Sequence, residues 1–275
     1  MRVKTIRALY FSATGTTQTA VKTVAAAAAA VLDCPWQAVS FTLPRERQEP
    51  LTFDGDELVI VGVPVYAGRV PNVLLPFLTQ MLAGNGALAV PVVLYGNRNY
   101  DDALMELRNI LAAGGFACVA GAAFVGEHAF SRVLAAGRPD AEDRALMEGF
   151  GEALGRKVKR LTTVPQEAMA VGGCEPIRPY YKPQDREGNF INILKVKPVT
   201  DTDKCTGCGL CAQMCPMGSI RADNVAEVAG ICIKCCACVK GCPTGAKYFT
   251  DEGYLYHHHE LEEMYARRGD VEMFL

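Results

Sequence analysis

Nine of the chain's twelve cysteines stand in two runs, CTGCGLCAQMCP from Cys205 and CIKCCACVKGCP from Cys232, and eight of them repeat in register. Each run has the form C-x2-C-x2-C-x3-C-P, and the second begins 27 residues after the first. Pro216 falls on Pro243 and Gly218 on Gly245, so the segment is an internal duplication. Thiolates at this spacing hold metal. Three closely spaced cysteines wrap one corner of an iron–sulfur cube and a fourth completes it. Structural zinc also uses paired C-x2-C units, but it has no need of a third cysteine at the same interval followed by C-P, twice in register. So short a segment cannot enclose a large apolar core and is expected to depend on its metal for folding. Cys236 sits between two candidate ligands as a bystander. Cys34, Cys118 and Cys174 read as core or linker thiols.

A second group of residues could hold an anion. ALYFSATGTTQTA runs from a strand-like stretch through Ser12, Thr14, Gly15, Thr16 and Thr17 into a helix-like one. Glycine permits the tight turn, and backbone N–H groups at a helix start attract negative charge. No G-x4-G-K-[ST] is present, so the loop suits a monophosphate held in place and not a nucleotide phosphate being transferred. The alternative is a helix cap with no ligand. Two further apolar runs end in PVYAGRVP, with Tyr66, Ala67, Gly68 and Arg69, and in YGNRNYDDA, with Gly96, Asn97, Arg98, Asn99 and Tyr100.

The elements that must carry these loops can be read as alternation. TIRALYF, WQAVSF, ELVIVGVPV, LAVPVVLYG and FACVAGAAFVG are strand candidates, several apolar on both faces as strands of a parallel sheet must be. Helix candidates lie at 17–32, 72–83, 101–113 and 140–160, the last with Asp140 as N-cap. The pattern predicts an α/β doubly wound parallel sheet of five strands in the order 2-1-3-4-5. Strands 1, 3 and 4 are then neighbours and the three loops converge, so that two tyrosine rings can sandwich a flat heterocycle whose phosphate lies at residues 12–17. Four segments are expected: this domain over 1–161, an extended linker over 162–198, the cysteine domain over 199–250 and a helical tail over 251–275.

The first segment resembles flavodoxin in its S-A-T-G-T-T loop and in the loops at 64–69 and 96–100. The cysteine runs resemble bacterial two-cluster ferredoxins, and the whole chain is similar to the anaerobe-type fusion of the two. The resemblance implies a flavodoxin-like sheet followed by a small α+β ferredoxin domain, with FMN and two [4Fe-4S] clusters as cofactors. FMN contacts are implied at Ser12, Thr14, Gly15, Thr16, Thr17, Tyr66, Ala67, Gly68, Asn97, Asn99 and Tyr100. In such ferredoxins the fourth cysteine of each run crosses to the other cluster. That rule implies Cys205, Cys208, Cys211 and Cys242 for one cluster and Cys232, Cys235, Cys238 and Cys215 for the other. The only tryptophan, Trp36, lies near the second strand, so a tyrosine must do any ring stacking.

Composition narrows the function. A net charge of −2 offers no basic surplus for nucleic acid. No signal peptide or membrane span is expected, because AVKTVAAAAAAVL is interrupted by Lys22 and too short to cross a bilayer. Clustered thiols in such a chain point to a reducing, cytoplasmic setting, and the resemblance to the anaerobe-type fusion implies an anaerobe. GNGALA follows a helix and enters a strand, the reverse of a dinucleotide fingerprint. HHH at 257–259 reads as a solvated helix face, and His128 as a structural residue. The expected function is electron transfer between FMN and the clusters, to or from a protein redox partner, with no catalytic acid–base pair. The alternative is an FMN-dependent reductase fed by the clusters, with Arg69, Arg98 or His128 contacting a small molecule.

Overall fold

The computed structural model describes residues 2–167 and 169–275. Five strands, β1 (Thr5–Tyr10), β2 (Trp36–Ser40), β3 (Glu57–Pro64), β4 (Leu88–Tyr95) and β5 (Gly121–Val125), form a parallel sheet in the order β2-β1-β3-β4-β5. The central strands β3 and β4 are buried almost throughout, which is why ELVIVGVP and LAVPVVLY carry apolar residues on both faces. The strand order makes the fold flavodoxin-like.

Helices cover both faces. Helix α1 (Thr16–Leu32) and α4 (Ala141–Arg160) pack on one side, joining Val21, Val24, Phe150 and Leu154 to Ile60 and Phe124 of the sheet. Helix α2 (Leu75–Gln80) and α3 (Ala103–Ala113) close the other, with Phe77, Leu78, Leu104 and Leu107 against Leu9, Val61 and Val93. The alanine run of α1 has a packing reason. A Cβ at Gly151 of α4 would stand 2.6 Å from the Val24 carbonyl oxygen, so the two helices approach backbone to backbone. Asp140 caps α4 by accepting the Asp143 N–H at 3.0 Å.

The tail departs from the expected helix. Helix α7 (Glu252–Met264) is followed by a strand, β6 (Glu272–Phe274), which pairs antiparallel with β5. The parallel sheet would otherwise leave an edge of unpaired backbone groups on β5, and β6 fills it. The expected helix at 72–83 is also shorter, a 3-10 turn over Asn72–Leu74 leading into α2.

Residues 199–250 contain two helical turns, α5 (Leu210–Gln213) and α6 (Ala237–Lys240), at equivalent places in the duplication. Gly209 and Cys236 precede them, both left-handed, with φ of 74° and 58°. Val199–Thr200 pairs antiparallel with Lys247–Tyr248 and ties the segment's two ends together. Among the described residues no helix is long and apolar enough to cross a membrane.

Candidate functional site

The carboxyl ends of β1, β3, β4 and β5 open into one central cavity, lined by Thr14, Thr16 and Thr17, by Tyr66, Ala67 and Gly68, by Arg98 and Asn99, and by Glu127 and His128. This is where an open α/β sheet binds its ligands. The loop after β3 is a tight reversal. Tyr66 and Arg69 exchange backbone hydrogen bonds of 3.0 and 3.1 Å, with Ala67 and Gly68 both at positive φ. A Cβ at Gly68 would meet the Asp101 carboxylate, so only glycine fits there. Burial pushes the Tyr66 hydroxyl well above the usual phenol value, assisted by the nearby Cys235.

Four of the expected flavin contacts lie outside the central cavity's wall. Ser12 accepts the Gln18 N–H at 3.0 Å and receives no share of the cavity wall; it is a cap of α1. Asn97 is buried at φ 70°, where its side chain donates to the carbonyls of Tyr265 and Arg267 and accepts the Gly269 N–H. Tyr100 packs against Tyr95 and donates to the Glu272 carboxylate at 2.6 Å. The returning tail has claimed both Asn97 and Tyr100, and neither lines the central cavity. Gly15 lines an adjoining groove instead, shared with Thr14, Thr16 and Thr19 and with Arg132, Arg144 and Lys240. These cations were not among the sequence candidates, since they come from the loop before α4, from α4 itself and from the cysteine segment.

The roof of the central cavity comes from residues far along the chain. Tyr181 and Pro183 of the linker, Ile233, Lys234 and Cys235 of the second cysteine run, and His257 and Leu261 of α7 all line it. The linker is pinned. The Tyr181 N–H donates to the Ala67 carbonyl at 2.9 Å, the Tyr180 hydroxyl to Val70 at 2.8 Å, and Arg178 grips Asp102 through its backbone and its guanidinium. Tyr181 lies between the Arg98 guanidinium, 4.5 Å from its ring centre, and the stacked His257 ring. His257 is thus buried at the cavity and not on a solvated face. Arg69, by contrast, is spent on a two-point ion pair with Glu106.

Both cavity histidines are neutral. Burial, aided by Lys240, lowers His128 to about 3, and its Nδ1 accepts the Phe130 N–H at 3.2 Å, which leaves the ring proton on Nε2. Burial lowers His257 to about 4.

All eight candidate cysteine ligands gather around two smaller cavities, here called outer and inner. Cys205, Cys208, Cys211 and Cys242 line the outer; Cys215, Cys232, Cys235 and Cys238, together with Cys236, line the inner. Each candidate quartet therefore takes three thiols from one run and the fourth from the other. Among the described residues no three His, Cys, Asp or Glu side chains converge where one metal ion would sit. Four thiols spread around a hollow suit a group that offers each sulfur its own metal atom, as a cube does, and a tetrahedral zinc site needs them converged. Burial pushes Cys238 up to about 12 and Cys235 well above the usual thiol range. At Cys242 burial acts the same way, but donors from Thr244 and from the backbone of Ala246 and Lys247 outweigh it and bring the thiol to about 7. Cys236 also lines the inner cavity, and it packs with Phe249 and Tyr254, its Sγ 3.5 Å from the Tyr254 hydroxyl.

Residues 198–221 match the 4Fe-4S binding domain family. That segment holds the first of the two cysteine runs. The chain's sheet region overlays a flavodoxin from the domain Archaea at 16% identity, covering 57% of this chain and 100% of that one with a TM-score of 0.41. A Streptococcus pneumonia TIGR4 flavodoxin overlays at 21% identity, 56% of this chain, 99% of that one and a TM-score of 0.39. For an NADH:FMN oxidoreductase in its apo form the values are 18%, 58%, 92% and 0.41. A comparison with curated proteins returns no match. The strand order and the matched segment fit a flavodoxin–ferredoxin fusion.

Proposed function

We propose that the chain is an electron-transfer protein that passes electrons between FMN in the central cavity and two [4Fe-4S] clusters in the cysteine cavities, to or from a protein redox partner in a reducing cytoplasm. Such clusters move one electron at a time, whereas FMN accommodates one or two. The observation that carries the reading is Cys235, which lines both the inner cysteine cavity and the central one. One residue is thus a wall common to the two sites. Thr14, Thr16 and Thr17 hold the flavin phosphate, with Arg132 and Arg144 nearby to neutralise it. Tyr66 and Tyr181 supply aromatic surface, and Tyr181, Pro183 and His257 exclude water from above. That cover favours a carrier over a reductase, whose substrate would need an open face. Domain limits follow as 1–161, 162–198, 199–250 and 251–275.

Anaerobic purification with iron, sulfide and flavin analysis tests the reading. The expected content is one FMN and about eight iron atoms per chain, with flavin and cluster absorbance bleaching together on addition of dithionite. Cys235→Ser should keep the flavin but slow its reduction by prereduced cluster. Zinc at the thiols, or flavin-free protein after reconstitution with FMN, would end the proposal. Rapid turnover of an added small-molecule acceptor would move it to the reductase.

A further inference from the structure

The duplication supplies an internal control. Residues 27 apart hold equivalent places in its two halves, so outer-wall positions have inner-wall counterparts. Three such pairs set a polar outer residue against an apolar inner one, while Ala246 against Ser219 runs the other way. Thr206, Thr244 and Lys247 line the outer cavity, and their counterparts Ile233, Met217 and Ile220 line the inner. Lys247 is 2% exposed, and its ammonium donates to the Val225 carbonyl at 2.6 Å with no carboxylate partner among the described residues. Thr200 adds a hydroxyl to the outer wall, buried and without a partner among the described residues. On the inner wall the one serine, Ser219, already donates to the Ile231 carbonyl.

We propose that the two cages are unequal electron acceptors, the outer taking an electron more readily than the inner because Lys247 and the threonines stabilise added negative charge where Ile220, Met217 and Ile233 do not. This rests on the two-cluster reading above. A one-electron reduction adds one negative charge to the cage. A buried ammonium in a low-dielectric wall favours that charge, hydroxyl donors to sulfur favour it further, and an apolar wall penalises it. Lys234, whose charge reaches the inner ligand Cys232, donates to the Leu194 and Cys232 carbonyls and also lines the central cavity. The inner cage shares Cys235 with the central cavity, so it is the uphill step between the outer cage, where an electron rests, and the flavin. Equal ligand sets are thereby given direction by three side chains.

The test is an anaerobic dithionite titration of the full holoprotein followed by electron paramagnetic resonance, with iron quantified on the same sample. Two reduction waves are expected, at least tenfold apart in equilibrium constant, which is 59 mV for one electron. Lys247→Met should lower the higher wave at least tenfold and the lower one by less, because the Lys247 charge also reaches Cys238 of the inner quartet. Thr200→Val should lower the same wave by less, and Ile233→Thr should raise the lower wave. Full iron content with a single coincident wave overturns the proposal, as does a Lys247→Met or Thr200→Val shift confined to the lower wave. Iron for fewer than two clusters overturns the two-cluster reading itself, and this proposal with it.

Discussion

Around the sheet, Phe11, Phe41, Val61 and Leu104 close one continuous apolar layer and Ile6, Ile60, Phe124 and Leu154 close another. Residues 199–250 gather only Cys236 and Phe249 into a comparable cluster, and they borrow Tyr254 from α7 to do it. The first region is held by burial of apolar surface, which needs no ligand. The second encloses hollows ringed by thiols, and it must draw its order from what those thiols bind. The difference teaches which part of the molecule answers to metal and which to packing.

Iron removal should separate the two most strongly. Chelation under anaerobic, reducing conditions is expected to abolish hydrogen-exchange protection across 199–250 while the sheet keeps its own. Joint loss of protection in both regions would break the contrast. A core truncation is the converse. Phe124→Ala should cost about 3–5 kcal/mol in urea unfolding of the sheet, with iron per folded chain unchanged.

The joint between the regions has its own pH dependence. Hydrogen bonds from the Arg178 side chain, then from the backbone of Arg178 and Cys174, hold the buried Asp102 carboxyl well below the usual range. Its folded value is depressed, so its stabilisation is present above the unfolded value near 3.9 and is lost as pH falls through the folded one. Amide protection at 174–178 should therefore weaken in acid, below about pH 4. Asp102→Asn should remove that dependence and loosen the linker by about 1–3 kcal/mol. The smallest effect belongs to a helix end. Asp140→Ala should cost about 1 kcal/mol by uncapping α4, visible as a lower urea midpoint for the sheet alone.

The elements that were legible in the sequence are those set by local pattern. Doubly apolar runs marked β3 and β4, and Asp140 marked the start of α4. What escaped was decided by contacts between distant residues. Nothing near Asn97 or Tyr100 says that Gly269 and Glu272 will come back to occupy their side chains. Nothing near His257 says that Tyr181, 76 positions earlier, will stack on it. The Lys247–Ile220 difference was available to anyone aligning the two halves, but it acquires meaning only once both residues are seen as cavity wall.

Strand β6 brings the chain home to the sheet it left at α4, so everything between Arg160 and Glu272 is an excursion moored at both banks. A domain on a single hinge sweeps through many separations, and its throughput would follow solvent viscosity. A span anchored at two abutments keeps one gap, and the pace of charge crossing it is set when the protein folds, not each time it moves.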